Sequence, residues 1–286
     1  MKKLLTVLAA LGLLGAAPFA SARPNLEAPG TPHQDLQRFQ AYFKHRFPKI
    51  PFADFANGTY AIGPKADREQ WKSITQFPPY EPGLSHGKKL FHTAFKDGKT
   101  YGSCFAHDGI GIRQNYPYFD TKKGKVVTLE MAINQCREKN GAKPYKWGKG
   151  PLADISAYMG YTSRGKKFDI KVPDNPKARA AYERGKEFFY SKRGQLDMSC
   201  ADCHVYHSGQ KIRGNYLSTS LGQPTGFPTY RAKWGYMGTL EKRFKGCNKK
   251  VRAKPFKLQS VQYRDLEYFL TYMSDGQPVN APAYRP

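Results

Sequence analysis

Apolar side chains recur at helical spacing in three separate segments of this chain. The apolar positions are Leu36, Phe39 and Phe43 in the first segment, Tyr182, Phe188 and Phe189 in the second, and Leu266, Phe269, Leu270 and Met273 in the third. Pro32 precedes the first segment, and Asn175-Pro176 is typical of the start of the second helix, which is predicted to stop near Gly194. Ser260 can cap the third helix, which ends before Gly276. The pattern predicts a mainly α-helical protein.

Residues 1–22 show a different apolar pattern. Lys2-Lys3 precedes an apolar run from Leu4 to Leu14, and Ala20-Ser21-Ala22 resembles a cleavage site. These features are typical of a secretory signal peptide, which we expect to be removed after about Ala22. The apolar run is too short to span a bilayer comfortably. We therefore predict an exported, periplasmic protein without stable membrane insertion.

An internal repeat organises the rest of the chain. Thr128-Leu129-Glu130 precedes Cys136 by the same interval that separates Thr239-Leu240-Glu241 from Cys247. The shift that carries Thr128 to Thr239, here called the repeat offset, also relates Asp154 to Asp265, Tyr161 to Tyr272 and Gly165 to Gly276. A somewhat shorter shift relates residues 87–91 to residues 185–189. Two copies of one fold are predicted to lie in tandem.

The second copy contains the motif C-x-x-C-H at residues 200–204. This motif attaches a c-type haem: the thiols of Cys200 and Cys203 bind it covalently, and His204 supplies the proximal ligand to iron. A zinc site would want a second Cys or His pair at ligand spacing, and a thioredoxin-like motif would follow a strand. Neither context is visible, so we predict one covalently bound haem c.

The corresponding stretch of the first copy is Tyr101-Gly102-Ser103-Cys104-Phe105. Tyr101 replaces a haem-attaching cysteine and Phe105 replaces the proximal histidine, so this copy is predicted to hold no haem. His92 and His107 lie nearby and are interpreted as solvated. The loop of residues 209–230, rich in Gly, Pro, Ser and Thr, is predicted to be irregular and to border the haem.

The expected architecture is two tandem cytochrome c-like domains, the first without haem. The predicted boundaries are a signal peptide at 1–22, an N-terminal extension at 23–80, a degenerate domain at 81–170 and a haem-binding domain at 171–286. Residues 165–176, which contain Pro173 and Pro176, are the predicted linker.

The chain carries a formal net charge of +25. Such an excess of positive charge attracts anions and acidic partner surfaces at long range. Because an exported haem protein seldom meets nucleic acid, we expect small inorganic anions or an acidic protein as partners, and no nucleic acid.

Three cysteines remain after haem attachment: Cys104, Cys136 and Cys247. The repeat places Cys136 near Cys104, where the two can form a disulfide in an oxidising compartment. In the second copy the haem would intervene, so Cys247 would face the iron opposite His204 as the distal ligand. A buried structural thiol or an intermolecular disulfide remains possible for Cys247.

Met237 is the alternative distal ligand, whereas Met273 lies on an apolar helix stripe and is assigned to the core. Thiolate ligation would lower the haem potential and thioether ligation would raise it. Arg243 precedes Cys247 by four positions, which places both on one helix face. A guanidinium there lowers the thiol pKa and can hold an oxyanion.

Three stretches in this region resemble the SoxA family of bacterial thiosulfate-oxidising cytochromes. They are residues 243–247, 252–256 and 266–274, and the resemblance extends over roughly residues 85–284. It implies a heterodimer with a small cytochrome, SoxX, that acts as an L-cysteine S-thiosulfotransferase. The implied reaction joins thiosulfate oxidatively to a cysteine of the SoxYZ carrier protein, on its SoxY subunit.

The resemblance also implies roles for particular residues. His204 and Cys247 become the axial iron ligands, Cys247 the catalytic residue carried as a persulfide, and Arg243 the residue that steers the sulfur anion. Some members hold a second haem in the first domain. Because this chain departs from them at Tyr101 and Phe105, it resembles the monohaem type with a Cys104–Cys136 disulfide. The competing hypotheses are a plain electron-transfer cytochrome with Met237 as ligand and a structural haem domain that only docks another cytochrome.

Overall fold

The computed structural model describes residues 25–212 and 214–286. The predicted signal peptide, residues 1–22, lies outside the described residues. Across the described ranges the fold is mainly helical with short strands, as predicted. No helix within these ranges is long and apolar enough to cross a membrane.

The N-terminal segment forms three helices: α1 (Pro32–Arg46), α2 (Thr59–Ile62) and α3 (Lys65–Gln76). The side chain of Thr31 accepts a hydrogen bond from the backbone of Gln34, and the Gln34 side chain accepts one from the backbone of Thr31. This reciprocal pair is a capping box, which starts α1 next to Pro32. Phe39 and Phe43 of α1 are buried in the same core as the helices of the second repeat.

The two sequence repeats fold alike. The first repeat contains α4 (Glu81–His92), β1 (Tyr118–Asp120), β2 (Lys125–Val127), α5 (Leu129–Lys139) and α6 (Pro151–Tyr161). The second contains α7 (Pro176–Tyr190), β3 (Lys211–Ile212), β4 (Asn215–Tyr216), β5 (Thr229–Arg231), β6 (Tyr236–Gly238), α8 (Leu240–Lys250), α9 (Val261–Met273) and β7 (Ala283–Arg285). The helix starts predicted at Asn175 and Ser260 are confirmed, because both side chains accept from backbone N–H groups of the first turn.

A pair of crossed helices forms the centre of each repeat: α4 with α6, and α7 with α9. Glycine is required at both crossings. A Cβ added at Gly87 would lie 2.0 Å from the carbonyl oxygen of Asp154, and one added at Gly185 would lie 2.1 Å from that of Asp265. The two glycines and the two aspartates are the pairs that the repeat relates, so both copies contain the same close backbone contact.

The β-hairpin of each repeat packs against the helices of the other repeat. The β1–β2 hairpin of the first repeat buries Val126 in the core formed by α7 and α9. The β5–β6 hairpin of the second repeat buries Met237 against Leu84 of α4 and Ala153 of α6. Val126 and Met237 are related by the repeat offset. The repeats are therefore joined by a reciprocal exchange of hairpins.

The predicted linker, residues 165–176, has an irregular backbone but is bound to the second repeat. The N–H of Phe168 donates to the carbonyl of Gln277 (2.9 Å), and the N–H of Gly276 donates to the carbonyl of Phe168 (2.9 Å). The Phe168 side chain is buried in the core of the second repeat. At the C-terminal end of the chain, β7 pairs in parallel with β5, so the sheet has the order β6-β5-β7.

Candidate functional site

The C-x-x-C-H motif ends in a short π-helical turn, Asp202–Tyr206, that follows α7. His204 is buried, and its Nδ1 donates a hydrogen bond to the backbone carbonyl of Ser218 (2.9 Å). A carbonyl oxygen can only accept, so this contact places a proton on Nδ1. In the neutral ring Nε2 is then the nitrogen that can bind a metal. The predicted irregular loop, residues 209–230, supplies this carbonyl after the short β3–β4 hairpin.

Cys247 lies on α8, the helix that begins after the cap residue Thr239. It is half-buried and faces the motif: Cys200, Cys203 and His204 all interact electrostatically with its thiol. Cys200, Cys203 and Cys247 form no disulfide among the described residues. The structure thus brings together the two thiols of the motif, its histidine and the cysteine predicted as distal ligand.

The thiols of this group differ in acidity. Burial raises the pKa of the Cys200 thiol to about 12, and it also raises the pKa of Cys203. Burial opposes ionisation of Cys247 as well, but the positive charge of Arg243, followed by His204 and Lys250, outweighs it and lowers the pKa of Cys247 to about 6. Cys247 is the thiol whose surroundings favour an anionic sulfur.

Arg243, Arg231 and Lys250 surround Cys247 with positive charge. Burial lowers the pKa of Arg231 to about 10, and repulsion from Arg243 adds to this effect. The same two causes lower the pKa of Lys250. Cations that repel one another around one thiol form a site that a bound anion would stabilise.

Sequence reasoning missed Arg231, which lies well before Cys247 in the chain, on β5. Its guanidinium lies over the ring of Trp234 (5.3 Å), and Nε and Nη2 donate to the carbonyl of Pro286 at 3.0 and 2.6 Å. The signal in the sequence that could have found Arg231 was its position at the end of strand β5, in the hairpin that leads into α8. Lys250 lies at the end of α8, and its side chain is exposed.

Met237 occupies a different part of the molecule. It is 3% exposed and packs in the cluster between the repeats, with Tyr80, Leu84, Ala153 and Ala157. Its Cε lies 2.6 Å from the position that a Cβ would take at Gly83. Its repeat counterpart, Val126, has the same packing role and no sulfur. These contacts favour a structural role for Met237, and Met273 is likewise buried in the core.

The matching place in the first repeat holds protein side chains. Cys104 and Cys136 form the predicted disulfide, which is confirmed. Tyr101 is buried and stacks on Phe91, and its hydroxyl accepts a hydrogen bond from Arg137 Nη1 (2.8 Å). Burial raises the pKa of Tyr101 to about 12. His92 and His107 lie on the surface, as predicted.

Crossed helices repeated in tandem, with C-x-x-C-H in the second copy, define a two-domain c-type cytochrome. The family model for the SoxA/TsdA cytochrome c domain matches residues 86–168 and 184–279. Together with the similarities that follow, this match shows that the chain belongs to the SoxA family. A cytochrome c domain of this family implies haem c.

Two named relatives and one solved structure show the extent of the similarity. The L-cysteine S-thiosulfotransferase subunit SoxA of Allochromatium vinosum is 50% identical over 256 residues, which cover 89% of this chain and 90% of the relative. The subunit of the same name from Paracoccus pantotrophus is 36% identical over 196 residues, 66% of this chain and 65% of the relative. The crystal structure of SoxXA from P. pantotrophus matches with a TM-score of 0.71 and 28% identity, covering 79% of this chain and 86% of that chain.

Proposed function

We propose that this chain is the SoxA subunit of a periplasmic L-cysteine S-thiosulfotransferase. In this proposal the enzyme joins thiosulfate to a cysteine of a SoxYZ-like carrier protein through Cys247, and a SoxX-like cytochrome is its partner. The names of relatives at 50% identity support a role in thiosulfate oxidation, and the similarity to SoxXA supports the partner. The observation that carries the proposal is the placement of Cys247 close to His204 and Arg243, which favour the thiolate form of its side chain.

The residues present fit one covalently bound haem c. The free thiols of Cys200 and Cys203 suit thioether attachment, and the Ser218 carbonyl leaves Nε2 of His204 available to iron. Cys247 would be the second protein ligand of the iron. When bound, the haem supplies a one-electron acceptor, and the partner cytochrome supplies another.

The reaction is balanced in two steps. A persulfide on Cys247 forms a sulfur–sulfur bond with the outer sulfur of thiosulfate, and two electrons leave to the cytochrome acceptors. The carrier cysteine thiolate then attacks the outer sulfur of the bound thiosulfate, and the bond between that sulfur and the persulfide breaks. The Cys247 persulfide leaves, and the thiosulfate stays on the carrier through the new sulfur–sulfur bond. Covalent catalysis of this kind divides one difficult coupling into two easier transfers.

The cations near Cys247 have a distinct part in this chemistry. Arg243 would pair with the sulfonate oxygens, since a guanidinium can hold an oxyanion in bidentate fashion. Arg231 and Lys250 would offset the remaining negative charge of thiosulfate and of the attacking carrier thiolate. Their repulsion in the absence of an anion is relieved when the dianion enters.

The Cys247→Ala variant tests the proposal. We expect thiosulfate conjugation to the carrier to fall by at least about 10³-fold, because the covalent intermediate cannot form. Conjugation is measured as the mass added to the carrier protein, with haem content and partner binding measured alongside. The control is Lys245→Ala, an exposed position on the same helix, which should stay within about twofold of the parent. Full activity of Cys247→Ala with haem retained would contradict the proposal.

The intact mass of the purified chain tests the cysteine assignments separately. The proposal expects one haem, one disulfide between Cys104 and Cys136, and one extra sulfur atom on Cys247. A second haem or a disulfide that involves Cys247 would exclude this assignment.

A further inference from the structure

Three glutamates are buried together where the two repeats meet, away from the proposed sulfur chemistry. Glu130 in the first turn of α5 is 7% exposed, Glu241 in the first turn of α8 is 2% exposed, and Glu267 of α9 is 3% exposed. Burying several carboxylates in one place is costly unless they bind protons or cations.

The repeat indicates which member of the cluster could donate a hydrogen bond. In the first repeat, Ser156 Oγ donates a hydrogen bond to Glu130 Oε1 (2.7 Å). The repeat offset carries Glu130 to Glu241 and Ser156 to Glu267. The second repeat thus has a carboxyl where the first has a hydroxyl donor. A carboxyl can donate a hydrogen bond only when it is protonated.

The groups around the three carboxyls provide few hydrogen bonds and ion pairs to them. Glu241 Oε2 accepts from the backbone N–H of Gln259 (2.6 Å), whereas Glu241 Oε1 is buried without a hydrogen bond. The titratable and charged groups that face the cluster are Glu130 of α5, Glu241 of α8, Glu267, Arg264 and Tyr263 of α9, and Arg113 of the loop before β1. Over the described ranges, neither arginine forms an ion pair with these carboxyls.

The protonation equilibria agree with this geometry. Burial raises the pKa of Glu241 to about 8, and the negative charge of Glu130 adds to the effect. Burial also raises the pKa of Glu267 well above its ordinary value, with contributions from Glu130 and Glu241. Buried carboxyls that interact in this way titrate as one group.

Hydrogen bonds connect the two repeats next to the three glutamates. Thr128 Oγ1, at the cap of α5, donates to Gln259 Oε1 (3.1 Å), and the backbone N–H of Thr239, at the cap of α8, donates to the carbonyl of Gly148 (3.1 Å). Each repeat therefore binds the start of the other's helix, and Glu130 and Glu241 lie in the first turns of those helices.

We propose that Glu130, Glu241 and Glu267 form a proton-dependent clamp that holds the two repeats together and fixes the first turn of α8. When the clamp loses its proton, carboxylate repulsion weakens the joint. The clamp therefore stabilises the fold at low pH, and this contribution is lost as the pH rises through the raised pKa values, up to about pH 8 for Glu241. Cys247 lies further along α8, but the clamp does not depend on the proposed sulfur transfer.

The Glu267→Gln variant of the holoprotein tests the clamp. The amide group of glutamine donates a hydrogen bond at any pH, whereas the carboxyl of glutamate donates one only when it is protonated. The variant should therefore unfold at a higher temperature than the parent at pH 9. It should also lose much of the parent's decline in melting temperature between pH 6 and pH 9. The control is Glu138→Gln on α5, which removes an exposed carboxylate and should keep the parent's pH dependence. Hydrogen exchange of α8, corrected for the intrinsic effect of pH, should speed up with pH in the parent and not in Glu267→Gln.

Infrared spectroscopy gives a direct measurement of the proton. A protonated carboxyl band should be present in the parent at pH 7, above the raised pKa of about 6 of Asp265, and absent from Glu267→Gln or Glu241→Gln. If glutamine at position 267 does not fold, Glu267→Ser, which rebuilds the pair of the first repeat, takes its place. An unchanged infrared band, or a pH dependence of stability equal to the parent's in every glutamate variant, would overturn the clamp.

Discussion

Cys136 and Cys247 show how neighbours decide the chemistry of one position in two copies of a fold. The repeat offset relates Arg243 to Ala132 and Arg231 to Asp120. The first copy therefore lacks both guanidinium groups, and its cysteine is closed in a disulfide with Cys104. These two guanidinium groups are specific to the second copy, which indicates that they serve its thiol and not the helical scaffold.

Substitution of Met237 by Leu tests the packing role of that residue. Leu has a similar volume and no sulfur, so we expect the visible haem spectrum to be unchanged and stability to fall by less than about 1.5 kcal/mol. The measurement is the absorption spectrum of the ferric and ferrous protein, with Cys247→Ala as the variant that should alter it. Loss of the low-spin spectrum in Met237→Leu alone would show that methionine is the ligand.

At the scale of the element, the sequence predicted what short-range chemistry controls. Caps at Asn175 and Ser260 and the helical register of Arg243 with Cys247 depend on residues a few positions apart, and all are found. The exchange of hairpins and the approach of Arg231 to Cys247 depend on contacts between distant segments. Periodicity carries no signal for such contacts, although the repeat made the Cys104–Cys136 disulfide predictable.

Two helical glycines offer a matched test of the crossing. In Gly185→Ala the new Cβ would lie 2.1 Å from the Asp265 carbonyl oxygen, and the backbone of α9 must shift. We expect a loss of about 1–3 kcal/mol in the free energy of unfolding, despite the better helix propensity of alanine. Gly246→Ala on α8 meets nothing within 4 Å, so it should gain about 0.5–1 kcal/mol. Both values come from denaturant unfolding, and equal effects of the two would contradict the crossing geometry.

At the scale of the whole molecule, the parts share cores and do not form separate units. Phe39 of α1 packs near Phe189 of α7 (6.4 Å between ring centroids), and Gln40 Nε2 donates to the carbonyl of Asp275 (2.9 Å). The N-terminal segment thus completes the core of the second repeat, while the exchanged hairpins connect that core to the first. Loss of either repeat would expose apolar surface of the other.

Because the two repeats bury side chains in each other's cores, we predict that they unfold in one transition. Val126→Ala changes the first repeat, yet it removes methyl groups from the core of α7 and α9. We expect it to lower the free energy of unfolding by about 2 kcal/mol, and the midpoints of haem absorbance and far-ultraviolet circular dichroism should fall together by several degrees. Val261→Ala, at a position that is 44% exposed, is the control and should shift both midpoints much less. If Val126→Ala moved the circular dichroism midpoint and left the haem signal in place, the repeats would unfold independently, and a clamp between them could not affect the stability of the haem-binding repeat.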